Sequence, residues 1–294
     1  GATLIARDYQ EVVTYSFIDA ASNKALSGVD SELVLSNPIS SDMSVMRASL
    51  LPGMLEAAAT NASRQQDRVR LFEVGKSFHG ELGAHTEVLR IAGVAIGPAL
   101  PEQWGAKSQG IDFFDIKADV ASLLQLTGET REFRYGAARH PALQPGQTAD
   151  IFDGDEFVGV IGKLHPRHAK MFDLKRDVFA FELDAAIALR STAPKASAVS
   201  KFPSIRRDIA VVVADEIRAE ELVETVAASA PEIIASVRIF DIYKGPGIEA
   251  GLKSVALGLI LQETSRTLTD DDADAAMTAA VRKLKEKFAA ELRD

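Results

Sequence analysis

The last third of the sequence carries the pattern that most narrows the possible folds. After residue 204, apolar residues change several times between the two-residue period of strands and the longer period of helices. The pattern predicts alternating elements at Arg207–Val213, Arg218–Ala230, Ile233–Tyr243, Leu252–Gln262, Asp270–Ala289 and Glu291–Arg293. Their order is β-α-β-β-α-β, which is typical of a ferredoxin-like domain with both helices on one face of its sheet.

The third of these strands indicates how the two faces of the sheet differ. Because side chains alternate along a strand, one face is expected to pack on the helices through Val255, Leu257, Leu259 and Leu261. The other face carries Ser254, Ala256, Gly258 and Ile260. Small residues would let a ligand approach the backbone, although a face that is solvated or covered by a neighbouring segment has the same pattern. Thr269 is the expected N-cap of the second helix.

A segment rich in Ala, Ser, Thr and Pro separates this domain from the rest of the chain. It covers Ser191–Ala198, and no acidic residue occurs from Ala185 to Arg207. We therefore predict two domains, residues 1–192 and 193–294. The first domain is predicted to be α+β with a largely antiparallel sheet, because strands predominate and do not alternate regularly with helices.

The elements predicted in the first domain comprise nine strands and two helices. The strands are Glu11–Ile18, Glu32–Leu35, Val69–Val74, Lys76–Phe78, Val88–Ile96, Glu132–Tyr135, Thr148–Phe152, Phe157–Leu164 and Val178–Leu183. The helices are Leu50–Arg64 and Ile116–Leu126, the second ending before Gly128.

Composition excludes several classes of function. The 294 residues include no cysteine, which rules out disulfides, zinc–thiolate sites, iron–sulfur ligation and thiol catalysis. No apolar stretch is long enough for a bilayer and the N-terminal residues show no basic-then-apolar signal-peptide pattern, so we expect a cytoplasmic protein without membrane contacts. A net charge of −9 argues against a protein whose whole surface binds nucleic acid. Any such contact is therefore expected to be a local patch.

Three short motifs fail on spacing or context. Gly75-Lys76-Ser77 matches the end of a phosphate-binding loop, but the first glycine of that motif would fall at Arg70. Gly245-Pro246-Gly247 lies between two predicted strands rather than before a helix. His165 and His168 are three residues apart, yet no partner carboxylates can be identified from the sequence. We predict no metal site.

Several runs of residues, in this order, resemble one family closely. They are Asn37–Ser40, Met46–Gly53, Arg70–Gly75, Asp112–Lys117, His140–Pro141, Pro145–Gln147, Gly159–Pro166, Phe202–Ala210, Lys253–Ser254 and Arg266–Asp270. Together they resemble the β subunit of bacterial phenylalanyl-tRNA synthetase over essentially the whole chain. The chain begins Gly-Ala-Thr without an initiator methionine, so we expect a C-terminal fragment of such a subunit that lacks the family's N-terminal modules.

The resemblance implies a class II synthetase-like antiparallel sheet domain followed by a ferredoxin-fold anticodon-binding domain. It also implies a partner, the catalytic α subunit, with which β subunits form an (αβ)2 heterotetramer, and a substrate, the phenylalanine tRNA, with no role for DNA. The family's enzyme uses ATP and Mg2+, whereas no cofactor is expected in this part of the β subunit. An apolar surface covered by α is expected on residues 1–192.

The residues themselves predict that the first domain is catalytically silent. A class II synthetase site needs cations and a glycine-rich segment for the ATP phosphates. The corresponding strand, Phe179–Ala186, has no glycine and carries Glu182 and Asp184. Arg47 and Glu73 are expected to form a buried ion pair that holds the sheet. The alternatives are an autonomous class II-like ligase that uses this pair, and a regulatory protein that binds a small molecule such as an amino acid.

The predicted tRNA-binding residues lie at the ends of two strands. Four are at the entrance to the first strand of the ferredoxin-like domain and two at the start of the third: Lys201, Ser204, Arg206, Arg207, Lys253 and Ser254. Because these strands are neighbours in such a sheet, we expect one basic rim that holds phosphates of the anticodon region. The competing interpretation is that Arg207 and Asp208 pair with each other within the fold.

Overall fold

The computed structural model describes residues 1–29, 33–127, 133–191 and 199–293, which fold as two compact units. The first unit is Gly1–Lys195 and the second is Ala196–Asp294. Within the described residues, no helix combines the length and the apolar character needed to cross a bilayer.

The first unit contains six helices and nine strands among its described residues. The helices are α1 (Ala2–Ile5), α2 (Ala20–Ser27), α3 (Leu51–Ser63), α4 (Phe113–Leu124), α5 (Pro166–Met171) and α6 (Ala185–Ala188). The strands are β1 (Gln10–Glu11), β2 (Phe17–Ile18), β3 (Val45–Met46), β4 (Val69–His79), β5 (Thr86–Ile96), β6 (Phe133–Ala137), β7 (Leu143–Asp153), β8 (Glu156–Leu164) and β9 (Val178–Asp184).

A seven-stranded sheet with the order β1-β4-β5-β9-β8-β7-β6 forms the centre of the first unit. Only β1 runs parallel to its neighbour, and the other pairings are antiparallel, as predicted from the sequence. One apolar core lies on the side of α3 and the other on the side of α4. Gly93 permits tight packing in the core on the α4 side, because a Cβ at this position would lie 2.2 Å from the ring of Phe181.

The first unit also departs from the predicted elements. The strand predicted at Glu11–Ile18 is wrong, because β1 ends at Glu11 and β2 begins at Phe17 in a separate two-stranded sheet. The segment between them is not a strand. Its Thr14 hydroxyl donates a hydrogen bond to the buried carboxylate of Glu73. At the predicted strand Glu32–Leu35, Val34 forms only an isolated bridge to Val45, and Glu32 lies outside the described residues.

Other differences concern continuity and length. The strands predicted at Val69–Val74 and Lys76–Phe78 are one strand, β4, that runs through Gly75. Sequence patterns missed α1, α2, α5 and α6, all of eight residues or fewer, because so few turns give a weak periodic signal. Helix α4 ends in a short 3₁₀ turn at Gln125–Thr127, and Gly128 and Glu132 lie outside the described residues.

The second unit has the predicted β-α-β-β-α-β order. Its elements are β10 (Ile205–Ala214), α7 (Ala219–Ala227), β11 (Ile234–Tyr243), β12 (Leu252–Leu261), α8 (Asp270–Phe288) and β13 (Glu291–Leu292). The strand order is β11-β12-β10-β13, and all pairings are antiparallel. The Thr269 hydroxyl caps α8 by accepting a hydrogen bond from the Asp272 backbone N–H at 3.3 Å. The ferredoxin-like prediction is therefore confirmed.

Both helices pack on one face of this sheet. Their apolar side chains meet a fully buried row on β12, as the alternation predicted: Val255, Leu257, Leu259 and Leu261. The side chains between these positions consequently lie on the opposite face, which we call the open face. Among the described residues of the second unit, neither helix covers it.

Candidate functional site

The first unit buries a cluster of polar side chains on the α3 side of its sheet. Arg47 Nη1 lies 2.9 Å from Glu73 Oε1, and the two residues are 4% and 2% exposed. Thr14 joins them, because its hydroxyl accepts from Arg47 Nη1 at 2.9 Å and donates to Glu73 Oε2 at 2.7 Å. Arg47 Nε donates to the carbonyl of Lys76. The predicted buried ion pair is present, and its members are satisfied by protein groups.

Glu182, on β9, lies beside the same group of polar side chains. Its Oε1 accepts hydrogen bonds from the Leu50 backbone N–H at 2.7 Å and from the Ser49 hydroxyl at 3.1 Å. Burial raises the pKa of the Glu182 carboxyl above its ordinary value, and the nearby guanidinium of Arg90 opposes that shift. A buried carboxylate here repels the phosphates that a catalytic class II site would hold. We call Arg47, Glu73, Thr14, Ser49 and Glu182 the sealed cluster.

The predicted histidine pair has structural partners. His165 Nδ1 accepts from the Arg167 backbone N–H at the start of α5, and His168 is 3% exposed with Nε2 3.0 Å from the Pro141 carbonyl oxygen. Burial also lowers the pKa of His140 to about 4. In the parts of the chain that the structure describes, no three His, Asp or Glu side chains are grouped so that they could hold a metal ion.

The strand register of the second unit contradicts the predicted single rim. Strands β10 and β12 are antiparallel, so Arg206 lies opposite Ile260, whereas Lys253 lies opposite Val213. Seven residues of β10, about 24 Å, separate the two positions. The expectation was wrong because, in an antiparallel pair, the first residues of one strand lie beside the last residues of its neighbour.

The six predicted residues differ in exposure as well as position. Lys201 and Ser204 are exposed, and Lys201 Nζ lies 5.7 Å from the Phe202 ring centroid. Lys253 is only 9% exposed and donates to the Asp215 carbonyl at 2.7 Å, while Ser254 is 3% exposed. Lys253 therefore supports the turn after β10.

The two arginines make ion pairs with different acids. Arg206 Nε lies 2.9 Å from Asp208 Oδ1, and both side chains are exposed. Arg207, on the helix side, pairs with Asp270 at the start of α8. The anticipated Arg207–Asp208 pair is therefore absent, because successive residues of a strand point to opposite faces.

The open face has two regions. At one end, Tyr243 lies opposite Ser254, and Arg293 Cζ is 4.9 Å from the Tyr243 ring centroid. Towards the other end, Arg206 Cζ is 5.6 Å from the ring centroid of Phe240, which is 54% exposed. The small residues of β12 form a buried floor between them. Aromatic rings beside guanidinium groups suit the stacking of unpaired bases, with cations for phosphates.

Sequence analysis missed the aromatic residues and Arg293. The run Ile239-Phe240-Asp241-Ile242-Tyr243 was assigned to a strand, but its apolar residues do not follow a strict two-residue alternation. That irregularity, together with aromatic residues on an edge strand, was the available signal. Arg293 became relevant only when the short strand β13 placed it beside Tyr243.

Comparison with known proteins identifies both units. Residues 1–185 match the family described as phenylalanyl tRNA synthetase beta chain CLM domain, and residues 200–293 match the ferredoxin-fold anticodon binding domain. This chain is 45% and 44% identical, over 99% of its length, to the phenylalanine–tRNA ligase beta subunits of Methylococcus capsulatus and Pseudomonas putida. The chain spans 37% of the length of each.

Among solved structures, a pyrrolysyl-tRNA synthetase from Desulfitobacterium hafniense matches with a TM-score of 0.48 and 13% identity, over 64% of each chain. The assignment rests on the sequence families, which agree with the resemblance found in the sequence. The chain belongs to the phenylalanyl-tRNA synthetase β chain family.

Proposed function

We propose that this chain acts as part of the β subunit of a phenylalanine–tRNA ligase, where it supports the catalytic α subunit and binds the anticodon region of the phenylalanine tRNA. The observation that carries this proposal is the open face of the second unit. Its Tyr243–Arg293 pair lies within the residues that match an anticodon-binding family. Translation is a cytoplasmic process in bacteria, and we assign the chain to that compartment.

We propose that residues 1–192 form the non-catalytic synthetase-like domain and residues 193–294 the anticodon-binding domain. The sealed cluster supports catalytic silence, because Arg47 is committed to Glu73 and Glu182 adds negative charge beside it. Arg47 is therefore unavailable to stabilise the charge of ATP phosphates. In this proposal the α subunit catalyses aminoacylation with ATP and Mg2+, and this chain contributes no cofactor of its own.

The α subunit is proposed to cover apolar residues of the first unit. Val13 and Tyr15 are 92% and 70% exposed, on either side of the anchored Thr14. They border a cavity of about 490 Å³ that is also lined by Met43 and by Glu56 of α3. Exposed apolar side chains around a concavity are typical of subunit interfaces. We propose that two such αβ pairs form an (αβ)2 assembly.

For RNA, we propose that Ser254 and Tyr243 contact a base at one end of the open face. Exposed Lys201, Ser204 and Arg206 would contact the backbone at the other end, whereas Arg207, on the helix side, is proposed to act indirectly through its ion pair with Asp270. Lys253 is proposed to act indirectly, through the turn at Asp215. Such contacts predict modest affinity that falls steeply with salt.

The test combines three measurements on the full chain. It should co-purify with a coexpressed α subunit, and it should bind the phenylalanine tRNA more tightly than a tRNA with another anticodon. Alone it should show no phenylalanine-dependent ATP–pyrophosphate exchange above a blank. Exchange that is lost on Arg47→Ala would instead support the autonomous ligase, and equal binding of both tRNAs would contradict the anticodon role.

A further inference from the structure

Strand β11 departs from regular alternation at an aromatic residue. Between Ile239 and Asp241, β11 advances two residues while β12 advances one, so Phe240 is the extra residue of a β-bulge. Bulges re-aim side chains and are frequent beside functional sites. Here the Phe240 ring lies 5.6 Å from the guanidinium carbon of Arg206, two strands away on β10. Phe240 therefore shares the open face with Arg238, two residues before it, and the bulge turns Asp241 and Tyr243 onto the same face.

Gly258 makes this approach possible. It lies on β12, opposite Asp208 of β10 on one side and Arg238 of β11 on the other. A Cβ at this position would be 3.1 Å from Asp208 Oδ1 and 3.4 Å from Arg206 Nη2. Because no side chain rises from the floor here, the guanidinium can extend over β12 towards Phe240.

Asp208 fixes the orientation of Arg206 without consuming all its donors. The carboxylate oxygens lie 2.9 Å from Nε and 3.4 Å from Nη2. Within the described residues, Nη1 has no hydrogen-bond acceptor. The Arg206 side chain is 60% exposed, so this nitrogen is available to a ligand.

We propose that Phe240, Arg206 and the Gly258 floor form a stacking subsite for one unpaired base of the RNA, with Arg206 Nη1 contacting a phosphate oxygen. The inference rests on the proposed function and adds a second base position to it. Three residues of β11, about 10 Å, separate Phe240 from Tyr243, so the two positions are distinct. Stacking accepts any base, so this subsite strengthens binding without reading sequence.

The chemistry of the face favours RNA over a protein partner. Exposed Phe240 and half-buried Tyr243 each have a guanidinium beside the ring, and Arg238 is a further exposed cation. Protein interfaces concentrate apolar side chains at their centre and deplete charge there. This face instead carries rings, cations and the two acids Asp208 and Asp241 over a floor of small residues, and its rings and cations are complementary to bases and phosphates.

The experiment uses the full chain and an RNA hairpin carrying the anticodon loop of phenylalanine tRNA, with 2-aminopurine at each loop position in turn. Phe240→Leu keeps an apolar side chain but removes the ring face, and Phe240→Tyr restores the ring. Phe114→Leu is the matched control, because Phe114 is also an exposed aromatic residue, 71% against 54% for Phe240, and lies on α4 in the first unit. Tyr243→Leu tests the base position of the proposed function separately.

Phe240→Leu should weaken hairpin binding roughly tenfold. It should also relieve the quenching of 2-aminopurine at one loop position, and leave the salt dependence unchanged because phosphate contacts remain. Phe240→Tyr and Phe114→Leu should bind like the parent. If Phe240→Leu binds like the parent while Tyr243→Leu binds weakly, the subsite is wrong and the anticodon role stands. If the parent prefers this hairpin no more than one with a scrambled loop, both are wrong.

Discussion

The two units place an arginine–carboxylate pair on a sheet face in opposite settings. Arg47 and Glu73 are buried and share Thr14, whereas Arg206 and Asp208 are exposed on the open face. Removing charges from water is costly, so the buried pair stabilises the fold only while both partners and their hydrogen bonds are present. The exposed pair is solvated, and its arginine can exchange partners. One pair therefore constrains the fold, and the other is available for binding.

The largest expected effect comes from breaking the buried pair. Glu73→Ala leaves the Arg47 charge buried without a partner and should lower the free energy of unfolding by about 3–5 kcal/mol. Urea unfolding of the full chain measures this. Glu87→Ala, which removes the exposed partner of Lys76, is the control and should cost about 1 kcal/mol or less.

A companion variant sharpens the interpretation. Arg47→Met combined with Glu73→Leu removes both charges and should be less destabilising than Glu73→Ala alone, because no charge is left buried. Equal losses for Glu73→Ala and Glu87→Ala would show that the sealed cluster is not the constraint described above.

Matched glycines test packing on the two faces. A Cβ at Gly75 would lie 2.4 Å from Arg47 Nη2 and 2.8 Å from Glu73 Oε1, in a region that cannot relax. Gly75→Ala should therefore cost about 1–3 kcal/mol. Gly258→Ala meets exposed side chains at 3.1 Å and beyond, which can move, so its cost in unfolding free energy should be smaller. A larger loss for Gly258→Ala would contradict the distinction between sealed and open faces.

Much of this architecture was accessible from the sequence. Alternating apolar residues on β12 and the order of elements in the second unit identified the sheet and its helix-facing side. The buried Arg47–Glu73 pair was inferred from charges that could not complete a site. These features depend on local periodicity and on the cost of isolated charges, which one sequence can reveal.

The candidate site was less accessible, because it depends on relations between strands. The antiparallel register that separates Lys253 from Arg206 is a long-range property. The bulge at Phe240 is set by the pairing of β11 with β12, and without it Asp241 and Tyr243 would face the helices. Thr14 was also missed, because its role requires the buried carboxylate of a distant strand.

Histidine protonation should destabilise the first unit, because all five histidines precede residue 170. Burial lowers the pKa of His140 to about 4 from its ordinary value of 6.5, so protonation favours the unfolded chain. The stability contributed by neutral His140 is complete above pH 6.5 and is lost as the pH falls towards 4. We expect His140→Gln to reduce this loss by about 1–2 kcal/mol.

Unfolding of the full chain monitored at several pH values checks this expectation. His85→Gln is the control, since the His85 side chain is 43% exposed. An unchanged pH profile in His140→Gln would show that burial of this imidazole does not contribute.

The smallest effect on stability is expected at the exposed pair, and there the effect on binding should be opposite in sign. Asp208→Asn removes a solvated charge, so the free energy of unfolding should fall by less than about 1 kcal/mol. The same change frees Arg206 from a competing carboxylate and removes a negative charge that repels phosphates. Binding of the anticodon-loop hairpin should therefore tighten by roughly threefold at low salt and show a steeper salt dependence. Asp241→Asn is the control, because Asp241 lies on the same face opposite Ala256. It tests whether removing any acidic side chain from this face tightens binding. Weaker binding by Asp208→Asn at unchanged stability would show that Asp208 orients Arg206 for RNA rather than competing with it.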